Sequence, residues 1–120
     1  MSQEGKSFGQ VLRERRIAKG YSLRKFAEMV GVSPTYLSQV EQGKVDKPPT
    51  AERVRRMAEL LGENVDELSA LAGRMPADIQ GIIKQQPTQM PELLREASGL
   101  TPEQLKQFIA KMRRAKEKDQ

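Results

Sequence analysis

The 120-residue sequence contains no cysteine and no histidine. Without cysteine there is no disulfide framework and no thiolate metal site. Without histidine, the commonest metal ligand and the commonest general base near neutral pH are missing. The sequence also has no paired-carboxylate motif, no phosphate-binding loop and no metal-ligand spacing. We therefore predict a protein that is not an enzyme and that needs no metal or cofactor.

Long hydrophobic runs are also absent, since no apolar stretch approaches the ~20 residues that span a bilayer. The segment 1–10 is polar and lacks the apolar centre of a signal peptide. Aromatic residues make up only 4% of the chain, so we expect a modest core of aliphatic side chains. These features predict a cytoplasmic protein that does not associate with a membrane.

The net charge of +5 is distributed unevenly along the chain. Residues 1–49 carry a balance of +4, residues 50–73 a balance of −2, and residues 74–120 a balance of +3. The basic ends can present a face to phosphate groups, and they are equally compatible with ordinary solvated surfaces. Charge alone leaves both interpretations open.

The spacing of apolar residues is helical throughout, and no stretch alternates apolar and polar residues as a strand would. Over residues 7–73 this spacing predicts five short helices, each ended by a glycine. The helices with their terminating glycines are 7–19 with Gly20, 22–30 with Gly31, 33–42 with Gly43, 50–61 with Gly62, and 64–72 with Gly73. The side chains expected to face inward are Phe8, Val11, Leu12, Leu23, Phe26, Ala27, Val30, Leu37, Val40, Val54, Met57, Ala58, Leu61, Val65, Leu68 and Leu71. The pattern predicts an all-α domain of five helices.

Residues 74–120 are divided by prolines and are predicted to form a short helical extension. Its clearest helix begins at Thr101, a good N-cap that is followed by a proline. That helix carries an amphipathic stripe consisting of Leu105, Phe108, Ile109 and Met112. The stripe either packs onto its own domain or forms a dimer interface, and we favour the dimer. After Met112 the charged residues predict a disordered basic tail.

Residues 22–43 predict a helix, a sharp turn and a second helix. Ala27 lets the two helices approach closely, and Gly31 suits a turn with positive φ. The outward face of the second helix is nearly uncharged and consists of Pro34, Thr35, Tyr36, Ser38, Gln39 and Gln42. A helix that needs only solubility usually shows Lys and Glu there, whereas amides, hydroxyls and methyls suit base edges in the major groove. An ordinary helical hairpin is the alternative, and it does not account for this face.

These residues resemble the XRE family, the phage-repressor or Cro-type helix-turn-helix regulators. The resemblance covers residues 7–73 and rests on Ser22, Phe26-Ala27, Gly31-Val32-Ser33, Tyr36-Leu37-Ser38, Val40-Glu41 and Gly43. It implies a DNA-binding domain whose base-contacting residues are Pro34, Thr35, Ser38 and Gln39. The Gln39 amide can pair with the N6 and N7 edge of adenine, whereas Pro34 offers only an apolar contact.

The same resemblance implies phosphate contacts near Gln42, Lys44 and the start of the second helix. The family usually has Gln directly after the cap of that helix, and this chain has Leu23. We therefore expect Arg24 or Lys25 to supply the phosphate contact instead.

Further assignments concern the surroundings of the third helix and the fourth helix. Lys47, in the loop after it, is expected to contact phosphate, and Tyr36 either does so or covers the core as a half-buried ring. The resemblance also implies that Arg16 and Glu41 form a structural pair between the first and third helices. In the fourth helix we expect surface ion pairs between Arg53, Arg55 and Arg56 and the acidic residues Glu52 and Glu59.

The sequence thus predicts a sequence-specific DNA-binding transcriptional regulator, acting as a repressor on double-stranded DNA. One recognition helix contacts only a few base pairs. Two copies spaced one helical turn apart, ~34–36 Å, would therefore read a palindromic operator as a homodimer. The alternative is a partner-controlled or antitoxin-like interaction protein whose C-terminal half binds another, regulatory protein, and this can coexist with DNA binding.

Overall fold

The structure is a computed structural model that describes residues 5–119. Within that range the chain forms eight α-helices and no strand, which confirms the predicted all-α class. The helices are α1 (Phe8–Ala18), α2 (Leu23–Val30), α3 (Pro34–Glu41), α4 (Ala51–Leu61), α5 (Val65–Leu71), α6 (Ala77–Gln85), α7 (Gln89–Ala97) and α8 (Pro102–Lys118). The first five correspond to the helices predicted over 7–73, and the last three form the helical extension.

Helix boundaries follow the capping residues of the sequence. The Ser33 hydroxyl accepts a hydrogen bond from the backbone N–H of Tyr36 at the start of α3. Ser22 and Thr50 cap α2 and α4 in the same way. Gly31 ends α2 with a φ of 90°, a left-handed conformation that L side chains rarely adopt. The turn between α2 and α3 is therefore set by local chemistry.

Helices α1 to α5 enclose one core of apolar side chains. Its buried members are Val11, Leu12, Phe26, Ala27, Leu37, Val40, Val54, Met57, Ala58, Leu61, Leu68 and Ala72. The remaining predicted inward residues are only partly buried and pack against this core; they are Phe8, Leu23, Val30, Val65 and Leu71. Because Leu37 and Val40 are buried, the opposite face of α3 is turned away from the core.

Helices α1 and α3 approach each other closely at Gly9, which is buried. A Cβ atom at this position would lie 2.6 Å from the carbonyl oxygen of Glu41, and closer still to that of Val40. Both oxygens belong to the backbone, so neither can move aside as the end of a flexible side chain can. This spacing between α1 and the last turn of α3 therefore requires glycine, which the pattern of residues around Gly9 does not predict.

The chain divides into two compact units, the first ending at Gln80 and the second beginning at Gly81. Helix α6 contains both of these residues. The boundary expected between residues 73 and 74 stays a prediction. None of the helices within residues 5–119 is long and apolar enough to cross a membrane.

In the second unit, α8 begins with a complete capping box at Thr101 and continues through Lys118. The prediction of a disordered tail after Met112 is therefore wrong for the described residues, and residue 120 lies outside them. Segment 113–118 contains only Arg, Ala, Lys and Glu, which are all good helix formers. The two lysines in the last turn also interact favourably with the negative end of the helix dipole.

Candidate nucleic-acid interface

Helix α3 presents its uncharged face to solvent. Thr35 and Gln39 are exposed and lie one turn apart on that face, and Pro34 and Ser38 beside them are half-buried. The Gln42 amide nitrogen donates to the Ser38 hydroxyl at 2.9 Å, so these two side chains are joined on the helix surface. The four residues predicted to contact bases are thus brought together at the start and middle of one helix.

Arg16 of α1 and Glu41 of α3 form a buried, bidentate ion pair. The Nε and Nη2 atoms of Arg16 donate to the two carboxylate oxygens of Glu41 at 2.7 and 3.0 Å. The remaining nitrogen, Nη1, donates to the backbone oxygen of Tyr21 at 2.9 Å. The two side chains are only 10% and 4% exposed. The pair therefore holds the end of α3 against α1 and against the turn that follows α1.

The start of α2 offers two cations to solvent, Arg24 and Lys25. The ammonium nitrogen of Lys25 lies 3.6 Å from a carboxylate oxygen of Glu28, one turn further along the helix. Leu23 packs against the core instead of extending outward. Arg24 and Lys25 are thus the groups with which this helix start can contact a phosphate.

Beside α3 lies an open cleft of ≈ 580 Å³. We call it the basic cleft; its polar and aromatic side chains are Tyr36, Gln39, Lys44, Asp46, Lys47, Thr50, Arg53 and Arg74. Four of these side chains are cationic and one, Asp46, is acidic. Tyr36 is half-buried and packs against the core while also bordering the cleft. The cleft brings the predicted base-contacting Gln39 together with three predicted phosphate-contacting residues, Tyr36, Lys44 and Lys47.

Arg74 holds the loop that connects α3 to α4. Its Nε atom donates to the carbonyl oxygen of Pro49 at 2.9 Å, and its Nη2 atom donates to that of Pro48 at 2.8 Å. The same loop carries Lys44 and Lys47. No local signal in the sequence reveals this role of Arg74, because its partners lie 25 and 26 positions earlier in the chain.

Two of the three arginines of α4 make ordinary structural contacts. Arg55 donates to Glu52 and to Glu59, as predicted, and the hydrogen bond to Glu52 contributes most to raising the pKa of Arg55. Arg56 instead donates to the backbone oxygen of Met29 at 3.3 Å, which links α4 to α2. The predicted pairing of Arg56 with a glutamate of its own helix is therefore wrong.

The third arginine of α4, Arg53, is exposed and lies over an aromatic ring. Its guanidinium carbon lies 6.0 Å from the centre of the Tyr36 ring, within reach of a cation–π interaction. Among the ion pairs of the described residues, none includes Arg53. The predicted surface pairing is wrong here too, because Arg55 already binds Glu52 and Arg53 points towards α3.

In the second unit, α7 and α8 border an apolar groove of ≈ 470 Å³. Its apolar lining consists of Leu93, Leu94, Ala97, Leu100, Leu105, Phe108, Ile109 and Met112. The predicted stripe supplies four of these side chains, and each of the four is between 38% and 49% exposed. Neither helix contains a buried residue among its described side chains. The stripe therefore remains open to solvent in the single chain.

Comparison with known proteins places the chain among helix-turn-helix regulators. A helix-turn-helix family model matches residues 12–68. The chain is 33% identical over 91 residues to the uncharacterized HTH-type transcriptional regulator RghRB of Bacillus subtilis, covering 76% of this chain and 56% of RghRB. It is 29% identical over 103 residues to the HTH-type transcriptional regulator SinR of the same species, covering 84% of this chain and 87% of SinR.

A third relative is the uncharacterized HTH-type transcriptional regulator YazB of Bacillus subtilis. It is 32% identical over 66 residues, and the match covers 55% of this chain and 93% of YazB. The range matched by the family model, 12–68, contains α2, the turn at Gly31 and α3. Because these relatives are regulators, the expectation of a non-enzyme is confirmed. The chain belongs to the helix-turn-helix family of transcriptional regulators, of the XRE or Cro type that the residues of α2 and α3 predicted.

Proposed function

We propose that the protein is a cytoplasmic transcriptional repressor that binds a palindromic operator in double-stranded DNA as a homodimer. In each copy α3 serves as the recognition helix and lies in the major groove. One observation carries this proposal. The uncharged face of α3, with Thr35 and Gln39 exposed on it, is held outward because Leu37 and Val40 are buried on the other side.

The base contacts come from the exposed face of α3. Gln39 presents an amide that can donate to and accept from the major-groove edge of adenine at once, and Thr35 offers a hydroxyl and a methyl group. Pro34 has no N–H and contributes an apolar contact. Ser38 contributes a hydroxyl whose orientation is restricted by Gln42. Sequence preference at the operator arises from these four side chains.

The cationic phosphate contacts come from groups that precede and follow α3 in the chain. Arg24 and Lys25 lie at the start of α2, and Lys44 and Lys47 lie in the loop held by Arg74. Gln42 and Tyr36 add a neutral donor each. These groups supply a salt-dependent affinity that is the same for every sequence and fix the orientation of α3 on the duplex.

The homodimer forms through the apolar groove of the second unit. Helices α7 and α8 have no buried residue of their own within the described range. Units this small usually need a disulfide, a metal or oligomerisation to fold. A two-fold axis would place the groove of one copy against that of the other, so that each stripe is covered by its equivalent. The second copy is the occupant we propose, because reading a palindrome requires two recognition helices.

Selection of bound duplexes from a random DNA pool tests the proposed function. The expected result is a symmetric motif with two half-sites whose centres lie about one helical turn apart, ~10 base pairs. A matched selection with Gln39→Ala should lose one base position in each half-site. Enrichment of no motif at all would contradict sequence-specific binding, and an asymmetric single site would contradict the dimer.

Sedimentation equilibrium tests the dimer without DNA. A mass twice that of the 13.5 kDa chain is the expected result. A chain that stays monomeric alone and on its operator would refute the homodimer and would support the alternative, in which the groove receives a helix of a regulatory protein.

A further inference from the structure

Arg53 differs from the other arginines of α4 because its guanidinium donates no hydrogen bond to any of the described residues. Arg55 binds two carboxylates, and Arg56 donates to a backbone oxygen. Arg53 is exposed, and no ion pair among the described residues includes it. Its guanidinium lies over the Tyr36 ring, whose face attracts a cation without neutralising it.

The position of Arg53 within α4 is electrostatically unfavourable in the free protein. Thr50 is the N-cap of this helix, and it accepts from the N–H of Arg53, so Arg53 lies in the first turn. The positive end of the helix dipole lies at this turn and disfavours a cation there. Glu52, the acidic residue of the same turn, is bound to Arg55. An anion from outside the chain would relieve this repulsion.

The surroundings of Arg53 identify the kind of anion. Arg53 lines the basic cleft together with Lys44, Lys47 and Gln39, and Gln39 is the residue proposed to read a base. A cationic cleft that borders a base-reading side chain is placed to receive the sugar–phosphate backbone beside that base. Asp46, the acidic side chain of the cleft, is outnumbered by the cations around it.

We propose that Arg53 binds a backbone phosphate of the operator, with its guanidinium held against the ring of Tyr36. This inference rests on the proposed function and adds a DNA contact from α4, a helix whose arginines the sequence predicts to form surface ion pairs. Tyr36 acts as a positioning residue for Arg53, because the ring limits where the flexible arginine side chain can lie. An arginine already restrained in this way loses less freedom when it binds phosphate.

The test compares Arg53→Gln with Arg55→Gln, which removes the same charge from the same helix outside the basic cleft. Binding to the operator and to a scrambled duplex is measured over a range of salt concentrations. For Arg53→Gln we expect an equal loss of affinity on both duplexes, and a slope of log K against log salt that is smaller in magnitude by ~0.9. Arg55→Gln should leave the slope unchanged, and Arg53→Lys should preserve it because the charge remains.

Two results would overturn the inference. If Arg53→Gln keeps the wild-type slope, or if Arg55→Gln reduces the slope by the same amount, Arg53 makes no specific phosphate contact. A wild-type protein that binds neither duplex would overturn the proposed function as well, so the two failures are distinguishable. Circular dichroism and thermal unfolding of each variant establish that the fold is retained, and Arg53→Met, which also removes the charge, supplies the same comparison of slopes if Arg53→Gln does not fold.

Discussion

Removing the charge of Glu41 should destabilise the first unit far more than removing the charge of an exposed glutamate. In Glu41→Gln the amide oxygen can still accept one hydrogen bond from Arg16, but the guanidinium is left with a neutral partner and one clashing N–H. Breaking a buried pair typically costs ~3–5 kcal/mol, since an uncompensated charge remains in a low-dielectric site. We expect about 3 kcal/mol, the lower end of that range, because one hydrogen bond survives.

The chain contains a matched control for this experiment. Lys6 and Glu14 form an ion pair with an N–O distance of 2.8 Å, close to the 2.7 Å of Arg16 and Glu41, but their side chains are 41% and 50% exposed. An exposed pair contributes roughly 0–1 kcal/mol. Glu14→Gln should therefore change the free energy of unfolding by less than about 1 kcal/mol. The two pairs are nearly equal in length and differ in burial and in the number of hydrogen bonds.

Urea unfolding followed by circular dichroism measures both changes. The midpoint of Glu41→Gln should fall with little change in m, whereas Glu14→Gln should unfold like the wild type. If the two variants lose equal stability, burial does not govern the strength of the Arg16–Glu41 pair and the reasoning is refuted. A change in m would show that the variant alters the denatured state or breaks two-state behaviour. The free energies could then not be compared.

Four other changes have definite expected outcomes. Gly9→Ala should destabilise the first unit by about 1–3 kcal/mol in the same urea assay, because its Cβ overlaps the backbone of α3; a stabilised variant would show that α1 and α3 can separate freely. Gln39→Ala should cost roughly 1–3 kcal/mol of binding on the operator in a fluorescence titration, and equal losses on scrambled DNA would remove its assignment as a base reader. Lys44→Ala should weaken binding to all duplexes similarly and reduce the salt slope by ~1; a loss confined to the operator would argue against a phosphate contact. Phe108→Ser should shift sedimentation towards the monomer, with Lys106→Ser as the control on the same helix, and an unchanged dimer would place the interface elsewhere.

The helix-turn-helix itself could be predicted because its signals are local. Ser33 caps α3 with its own hydroxyl, Pro34 suits the first turn, and Gly31 is the residue that accepts a positive φ. Each of these residues acts on the backbone within a few positions of itself, so the sequence is enough to predict the helix-turn-helix. Among the local predictions that are wrong is the tail after Met112, where charged residues predict disorder although they are good helix formers.

The surroundings of α3 depend on contacts between residues that are far apart in the chain. The order of residues along the sequence does not reveal these contacts. Gly9 is required because the backbone of α3 passes close to it, Arg74 holds a loop 25 positions earlier, and Arg53 lies over Tyr36. Capping residues and the spacing of apolar side chains determine where each helix begins and ends and which of its sides is apolar. The packing of five helices around one core then decides that Arg16 meets a carboxylate, Arg56 a carbonyl oxygen and Arg53 an aromatic ring, because each of these contacts joins two helices.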